Sequence, residues 1–394
     1  MSTDMREAIV KQTDFSMHIA NYFGAEQSTA GANFVFSPLS IHIVLSLIAS
    51  GSKGKTLDQI TAFLRSQSPS IQHLADLASQ IIDVVLVDGS SSAAPRLSFA
   101  NGVWFDHSFP INPSFKQIAV GSYRAQTQDV DFQTKAVQVI NEVNSWVDKE
   151  TVGLIKELLP PGSVDHSTRL LLGNALYFKG IWEEKFNASE TKDHEFHLLD
   201  GKSIAAPFMT SQKKQFVATY NGFKTLKLPY CQGDDRRQFS MYIFLPDAKD
   251  GVFDLSKRLA EPRFMDRHLP LVKVLIGEFK IPKFKFSFDI EASKVLKEMG
   301  LVLPFGTEAD LTGMMDDFSN KIPLCVSAIF HKSFVEVNEE GTEAAAATVA
   351  SIVFRGVSEP PCDFVADHPF VFLIREELTG VVIFTGHVVN PLLN

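Results

Sequence analysis

The chain has 394 residues, of which 45% are hydrophobic and 21% charged, a balance typical of globular proteins with a large buried core and not of disordered chains. The net charge is −9, and the lysines and arginines are scattered, so no basic face is evident for nucleic acid, anionic lipid or a heparin-like cofactor. No stretch is long and apolar enough to predict a membrane span.

The first segment, residues 1–20, is predicted to form a polar amphipathic helix and lacks the apolar run of a signal peptide. The three cysteines, Cys231, Cys325 and Cys362, are far apart and odd in number, so a disulfide framework is not expected. Both observations favour a cytoplasmic protein, while unconventional secretion stays open. The sequon at Asn187 would matter only in a secreted chain.

Hydrophobic patterning changes along the chain. Helical periodicity predicts helices at 39–49 and 137–148 in the first half. Apolar or alternating runs predict strands at 97–105, 170–178, 239–245, 283–288 and 381–389. Because no linker separates the halves and no repeat is present, the sequence predicts one interwoven α+β domain over residues 1–394.

Two short patterns resemble enzyme motifs but lack the required spacing. Residues 51–56 read Gly-Ser-Lys-Gly-Lys-Thr, yet the first glycine of a phosphate-binding loop would fall at Ala49. His194 and His197 are one residue too close for a zinc-binding His-Glu-x-x-His helix. No nucleophile elbow, paired Cys-x-x-Cys or dinucleotide glycine pattern occurs. The sequence therefore predicts no catalytic residue, no metal and no cofactor, and an enzyme is the weaker hypothesis.

A long connection at 338–361 separates a strand-like segment at 334–337 from an apolar run at 364–374. Loops of more than about 15 residues are usually functional or disordered. The first half of this connection consists of small residues, and the second half is apolar and carries Arg355. An Ala-rich helix followed by a linker is the alternative, because Ala is the best helix former.

Strand alternation gives the small-residue half a distinctive face. If it entered a sheet, alternate residues would share one side. That side would carry Thr342, Ala344, Ala346, Thr348 and Ala350. All five side chains are small and uncharged, so the strand could slide beneath a covering helix without the large desolvation cost of a buried charge.

The run at 339–348, Glu-Glu-Gly-Thr-Glu-Ala-Ala-Ala-Ala-Thr, resembles the hinge of inhibitory serpins. Four other segments resemble the same family in the same order, at 33–40, 99–104, 172–182 and 367–370. The resemblance covers essentially the whole chain and is closest to plant serpins. It implies the serpin fold, in which a helical N-terminal half is interwoven with three β-sheets and a long reactive-centre loop, here about 338–361, is exposed.

The resemblance implies an irreversible suicide inhibitor that acts as a monomer on target proteases. In the family the bait bond follows the residue fourteen positions after the hinge glycine, which places it at Arg355–Gly356. An arginine there suits trypsin-like serine proteases, with Val353 and Phe354 as specificity positions. Phe354 stays open as a second bait, and papain-like cysteine proteases and metacaspases stay open as targets. Insertion of the cleaved loop would trap the acyl-enzyme.

The resemblance also assigns positions around the main sheet. The hinge is implied at Glu339, Gly341, Thr342, Ala344, Ala346 and Thr348, the shutter at Ser37, Ser40, Asn174 and His331, and the breach at Trp182. Each position also has an ordinary interpretation, because serines cap helices and a core histidine or tryptophan can be purely structural.

Other functions remain as alternatives. A non-inhibitory serpin that acts as a storage protein or chaperone would be expected to carry a bulky or charged residue on the inserting face. An unrelated hydrolase would need a nucleophile motif, and a module that presents the loop as a peptide ligand would not need the small-residue face.

Overall fold

The N-terminal part of the chain is mainly helical, as the sequence predicts. A computed structural model describes residues 3–29, 31–65, 70–86, 95–233, 236–316, 323–342 and 361–393. The α-helices in these ranges are α1 (Thr3–Thr29), α2 (Pro38–Ser50), α3 (Gly54–Phe63), α4 (Ile71–Ile81), α5 (Pro113–Tyr123), α6 (Phe132–Glu150), α7 (Val252–Leu259), α8 (Phe264–Arg267) and α9 (Ala292–Glu298). None of these described helices has both the length and the apolar composition needed to cross a membrane.

Strands dominate after residue 170. They are β1 (Phe34–Phe36), β2 (Arg96–Asp106), β3 (Gln126–Val130), β4 (Leu170–Ile181), β5 (Lys192–His197), β6 (Ser203–Met209), β7 (Gln215–Tyr220), β8 (Phe223–Pro229), β9 (Phe239–Pro246), β10 (Lys273–Val274), β11 (Ile276–Pro282), β12 (Phe284–Glu291), β13 (Ala328–Val337), β14 (Gly341–Thr342), β15 (Cys362–Val365), β16 (Phe370–Glu376) and β17 (Val382–Val388). Each predicted strand is present, with ends that differ by a few residues.

The described strands form three sheets. The central sheet has the order β12-β13-β4-β2-β3, and β14 pairs with β4 at one end. The second sheet has the order β1-β17-β16-β9-β8-β7-β10, and the third has the order β15-β11-β6-β5. Strands from distant parts of the sequence are neighbours in every sheet, which agrees with the predicted interwoven α+β class.

Helix α2 is enclosed on all sides. Its sequence is apolar around most of its circumference, which is typical of a buried helix, and every residue from Pro38 to Ala49 is buried. The helix begins at Ser37, whose hydroxyl accepts a hydrogen bond from the Ser40 N–H at 3.1 Å. Helix α2 packs against both β4 and β17, and the Ser37 N–H at its start donates to His331 of β13, so its N-terminus lies beside the central sheet.

Strand β4 is the centre of the central sheet and is buried on both faces. Leu172 and Leu176 belong to the main core that includes α2. Leu171 and Ala175 face a second cluster, in which Trp104 contacts Trp146 of α6 edge-to-face at 4.9 Å. Cover on both faces explains why β4 is almost continuously apolar in sequence.

Candidate functional site

The seam between β13 and β4 is closed. The two strands pair in parallel from Ala328 opposite Leu171 to Phe334 opposite Tyr177. Along this register the strands are direct hydrogen-bonded neighbours, so no further strand separates them. Beyond Phe334 the chain continues to Val337 and turns back at the end of the sheet.

The predicted hinge begins in this turn. The Asn338 N–H donates to the Gly341 carbonyl at 3.0 Å, and the Asn338 side-chain oxygen accepts from the Glu340 N–H at 3.0 Å. The chain then runs antiparallel to β4, with Gly341 opposite Ile181 and Thr342 opposite Gly180. Since this short strand, β14, also contacts β13, the hinge begins a new strand at the end of the closed seam.

Gly341 is required by this geometry. Its φ angle is +142°, a region that L residues with a side chain rarely adopt. A Cβ atom at this position would lie 2.2 Å from the Gly180 carbonyl oxygen and 2.6 Å from the Ile181 Cα. Both neighbours are backbone atoms of β4, so they cannot rotate away.

Two glutamates tie the hinge turn to its surroundings. Glu339 accepts hydrogen bonds from the Thr191 hydroxyl at 2.7 Å and from Lys283 Nζ at 2.8 Å. Burial alone would raise the pKa of Glu339, but the hydrogen bonds from Lys283 and Thr191 outweigh it, and the pKa lies below its ordinary value. Glu340 forms an ion pair with Lys185 at 2.6 Å.

Trp182 lies at the predicted breach and binds the hinge turn directly. Its indole N–H donates to the Asn338 carbonyl at 2.9 Å, and its backbone N–H donates to the Glu340 carbonyl at 2.9 Å. The ring is buried and stacks on Tyr230 with centroids 4.5 Å apart. Trp182 is therefore both a core aromatic residue and a hydrogen-bond donor to the hinge.

Three of the four predicted shutter residues meet at the middle of the seam. His331 on β13 lies opposite Asn174 on β4, and the His331 Nδ1 is 3.1 Å from the Asn174 Oδ1. The His331 Nε2 accepts the Ser37 N–H at 3.0 Å. Burial lowers the pKa of His331 to about 3, so the imidazole is neutral and links β13, β4 and the start of α2.

The cluster of predicted shutter residues also contains a residue that was not predicted, and one predicted member takes part through its backbone. The Ser333 hydroxyl lies 2.7 Å from the His331 Nε2, and strand alternation, which places Ser333 on the same face as His331, could have identified it. The Ser40 hydroxyl is buried without a hydrogen-bond partner in the described part of the chain. Ser40 contributes its backbone N–H to the Ser37 cap, as the capping interpretation expects.

Most of the predicted loop positions lie outside the described residues. These are Ala344, Ala346, Thr348, Val353, Phe354, Arg355 and Gly356. Thr342 is described through its backbone pairing alone. The hinge lysines Lys185 and Lys283 were not predicted, because their pairing with Glu339 and Glu340 depends on the turn geometry.

The described residues contain one group that could approach a metal ion, Asp106, His107 and Asp131, with ligand atoms within 4.8 Å of one another. Asp106 accepts hydrogen bonds from the Phe132 N–H and from Gln133. Asp131 caps α6 by accepting the Thr134 N–H at 2.9 Å. Helix capping accounts for Asp131, and hydrogen bonds from neighbouring residues account for Asp106.

Comparison with known proteins identifies the family to which this fold belongs. The family model for serpins (serine protease inhibitors) matches residues 10–391. The chain belongs to the serpin family. It is 56% identical over 397 residues to Serpin-ZXA of Oryza sativa subsp. japonica, with all of both chains covered. It is 54% identical over 392 residues to Serpin-ZX of Arabidopsis thaliana, with 99% of this chain and 100% of the relative covered.

The solved structures confirm the predicted serpin fold. An Arabidopsis serpin in its native stressed conformation matches with a TM-score of 0.93 and 52% identity over all of both chains. Serpin48 of the insect Tenebrio molitor matches with a TM-score of 0.83 and 30% identity, covering 100% of this chain and 99% of that one. Serpins are generally protease inhibitors, and the chain is a member of this family that is similar to plant serpins along its whole length.

The contacts of Gly341 predict that this serpin does not tolerate a side chain there. We expect Gly341→Ala to lower the free energy of unfolding by about 1–3 kcal/mol, because the added Cβ would clash with the β4 backbone and an alanine would be strained at this φ angle. Urea unfolding followed by tryptophan fluorescence measures the change. Gly121→Ala is the matched control, since a Cβ there meets nothing within 4 Å. Equal effects of the two substitutions would contradict the assigned role of Gly341.

The buried His331 predicts a stability that depends on pH. Its pKa is about 3 in the folded protein and 6.5 ordinarily, so between these values the unfolded chain binds a proton that the folded chain does not. The free energy of unfolding therefore falls as pH drops below about 6.5. Between pH 7.5 and 5.5 we expect the wild type to lose about 1.4 kcal/mol more than His331→Gln in urea titrations.

The other buried histidines do not disturb this comparison. His42 and His387, with pKa values lowered by burial to about 4 and about 3, are present in both proteins and cancel in the difference. The control substitution is His166→Gln, which makes the same change at an exposed position. Identical pH profiles for the wild type and His331→Gln would show that His331 is not held neutral by burial.

Proposed function

We propose that this serpin is an irreversible suicide inhibitor of trypsin-like serine proteases that is cleaved at Arg355–Gly356. The guanidinium of Arg355 suits a primary pocket that contains a buried carboxylate. Val353 and Phe354 precede it and adjust the choice of target, which extends to papain-like cysteine proteases and metacaspases. The protease nucleophile attacks the Arg355 carbonyl and forms an acyl-enzyme.

The observation that carries this proposal is that the start of the predicted hinge is already paired with the central sheet. Gly341 and Thr342 already pair with β4 in antiparallel register. Each further residue of the loop would pair one residue earlier on β4. Continued in this way, the register brings Thr348, six residues beyond Thr342, opposite Asn174, six residues before Gly180. The inserted loop would thus separate Asn174 from His331.

The side chains of the loop suit this register. Ala344 would lie opposite Phe178 and Ala346 opposite Leu176, both of which belong to the buried core around α2. Small side chains can enter there without overpacking, whereas a charge would have to be desolvated. The hydroxyl of Thr348 could donate to Asn174 Oδ1 in place of His331. The same small-residue face argues against the alternative of a non-inhibitory storage protein or chaperone.

Insertion of the cleaved loop into the central sheet would stop the bound protease from completing the reaction. Thr342 to Arg355 is 14 residues, which as a strand at about 3.3 Å per residue spans roughly 46 Å. A protease attached to Arg355 would be carried along the sheet and its active site deformed. A displacement of about 1 Å in catalytic geometry can cost around a hundredfold in rate, so deacylation stalls. A monomeric state, a cytoplasmic location and the absence of a cofactor stay predictions from the sequence.

The bait bond is tested by mixing the protein with trypsin and separating the products on a denaturing gel. We expect a complex that survives boiling and a released fragment that begins at Gly356. Arg355→Ala is expected to slow complex formation by about 30-fold or more, the effect of losing a binding hot spot. Rapid cleavage without a complex would overturn the inhibitory function and leave the fold assignment intact.

The insertion register is tested by placing one charge on either face of the loop. Ala344→Glu would bury a carboxylate against Phe178 without adding a trypsin site, so we expect a substrate that trypsin cleaves without being trapped. Glu343→Asp is the matched control, because position 343 is charged in the natural sequence and would face the opposite side of the sheet. The ratio of complex to cleaved inhibitor on gels measures the effect. Equal trapping by both variants would refute the register.

A further inference from the structure

Two buried amide groups face one another across the central sheet without a hydrogen bond between them. Asn101 on β2 is the register partner of Asn174 on β4, and both residues are buried. Among the described residues, the Asn174 Nδ2 and the Asn101 Oδ1 have no hydrogen-bond partner. One is a donor and the other an acceptor, and native proteins rarely leave such buried groups unsatisfied.

The orientation of Asn174 is fixed by a backbone group. The Ser37 N–H can only donate, so the His331 Nε2 that receives it at 3.0 Å carries no proton. The proton of the neutral imidazole is therefore on Nδ1, which donates to the Asn174 Oδ1 at 3.1 Å. The amide Nδ2 of Asn174 must then point away from His331.

The orientation of Asn101 is fixed in the same way from the other end. Its Nδ2 donates to the Tyr123 carbonyl at 3.2 Å, and a carbonyl oxygen can only accept. The Asn101 Oδ1 is therefore the side-chain atom that has no hydrogen-bond partner among the described residues. The Tyr123 hydroxyl in turn donates to the Ser46 carbonyl of α2 at 3.0 Å, so this part of the network also ends on α2.

Both side chains lie on the same side of the sheet. In an antiparallel pair, residues directly opposite one another project from the same face. Their neighbours Gly102 and Gly173, which are also register partners, both lie under the Trp104 ring on the α6 side. Asn101 and Asn174 consequently project to the opposite side, toward α2 and α5, where their known partners are found.

We propose that Asn101 is a positioning residue of the shutter, whose Oδ1 accepts a hydrogen bond from the Asn174 Nδ2 either directly or through one buried water molecule. This bond completes a relay that runs from Ser37 through His331, Asn174 and Asn101 to Tyr123, and back to α2. It ties β4 to β2 and holds the Asn174 amide where His331 can reach it. When β13 separates from β4, β2 and β4 move as one unit.

A double-mutant cycle tests the relay. The inference rests on the proposed role of the shutter, but no readout uses a protease, so its failure is distinguishable from failure of the inhibitory function. We compare Asn101→Ala, Asn174→Ala and the double variant by urea unfolding. Each single substitution is expected to raise the unfolding equilibrium constant by some factor. The factor for the double variant is expected to be smaller, by about threefold or more, than the product of the two single factors. Independent effects would overturn the proposal.

Asn144 provides a matched control for this cycle. It is a hydrogen-bonded asparagine on α6, where its Oδ1 accepts the Leu158 and Leu159 N–H groups. The effects of Asn101→Ala and Asn144→Ala are expected to multiply, because the two residues share no partner. Coupling of similar size in this pair would mean that the Asn101–Asn174 coupling reports general loosening, which would also overturn the proposal.

A structural measurement keeps the proposal testable if Asn101→Ala does not fold. In a wild-type crystal structure at atomic resolution, we expect the Asn174 Nδ2 within hydrogen-bond distance of the Asn101 Oδ1 or of one water that contacts both. An Asn174 Nδ2 that reaches neither the Asn101 Oδ1 nor a water shared with it would refute the inference.

Discussion

The parallel pairing of β13 with β4 is the interaction on which the other features depend. It joins the two halves of the central sheet over a short register, from Ala328 to Phe334 on β13. Parallel pairs are slightly less stable per residue than antiparallel pairs. The shutter crosses this seam at its middle, and the hinge lies at its end. Each group therefore acts on the same set of hydrogen bonds.

The chemistry of the seam allows one set of partners to be replaced by another. The cross-links at its centre are hydrogen bonds between neutral groups, centred on the His331 imidazole. An entering strand brings its own backbone donors and acceptors, so opening the seam need not leave buried groups unsatisfied. A buried ion pair at the same place would be far more costly to separate. The charged contacts of the hinge, from Lys185 and Lys283, lie outside the seam.

Hydrophobic patterning could predict the principal helices and strands and the α+β class, whereas the serpin fold and most seam residues came from the family resemblance. The helix at 39–49 and the strand at 170–178 are long, apolar and bounded by clear signals. Ser37, Asn174, His331 and Trp182 were found through the family resemblance, because a single polar residue in an apolar run does not reveal its partner. Partners brought together by chain reversal, such as Lys283 with Glu339, are 56 residues apart and have no local signature.

Ser40 and Asn101 show that the type of a residue does not by itself predict its contribution to the site. Ser40 is one of the predicted shutter residues, yet its contribution is a backbone N–H that any residue except proline could supply. Asn101 was not predicted as a shutter residue, although it lies within the matched segment 99–104, because its importance comes from its register with Asn174. Register depends on how β2 and β4 pair, and a one-residue slip would turn both side chains to the α6 side.

The pairing of Gly341 and Thr342 with β4 indicates which step of the proposed loop insertion has the highest barrier. Forming the first pairs of a strand is the least favourable step, since chain entropy is lost before many contacts are gained. Gly341 and Thr342 already make those pairs with β4, and Trp182 holds the turn through two hydrogen bonds. On the proposed register, the loop then advances six residues before it meets the contact between His331 and Asn174. Under the proposed insertion, the barrier lies at the contact between His331 and Asn174, and groups that orient Asn174 are expected to control insertion more strongly than groups that form the turn.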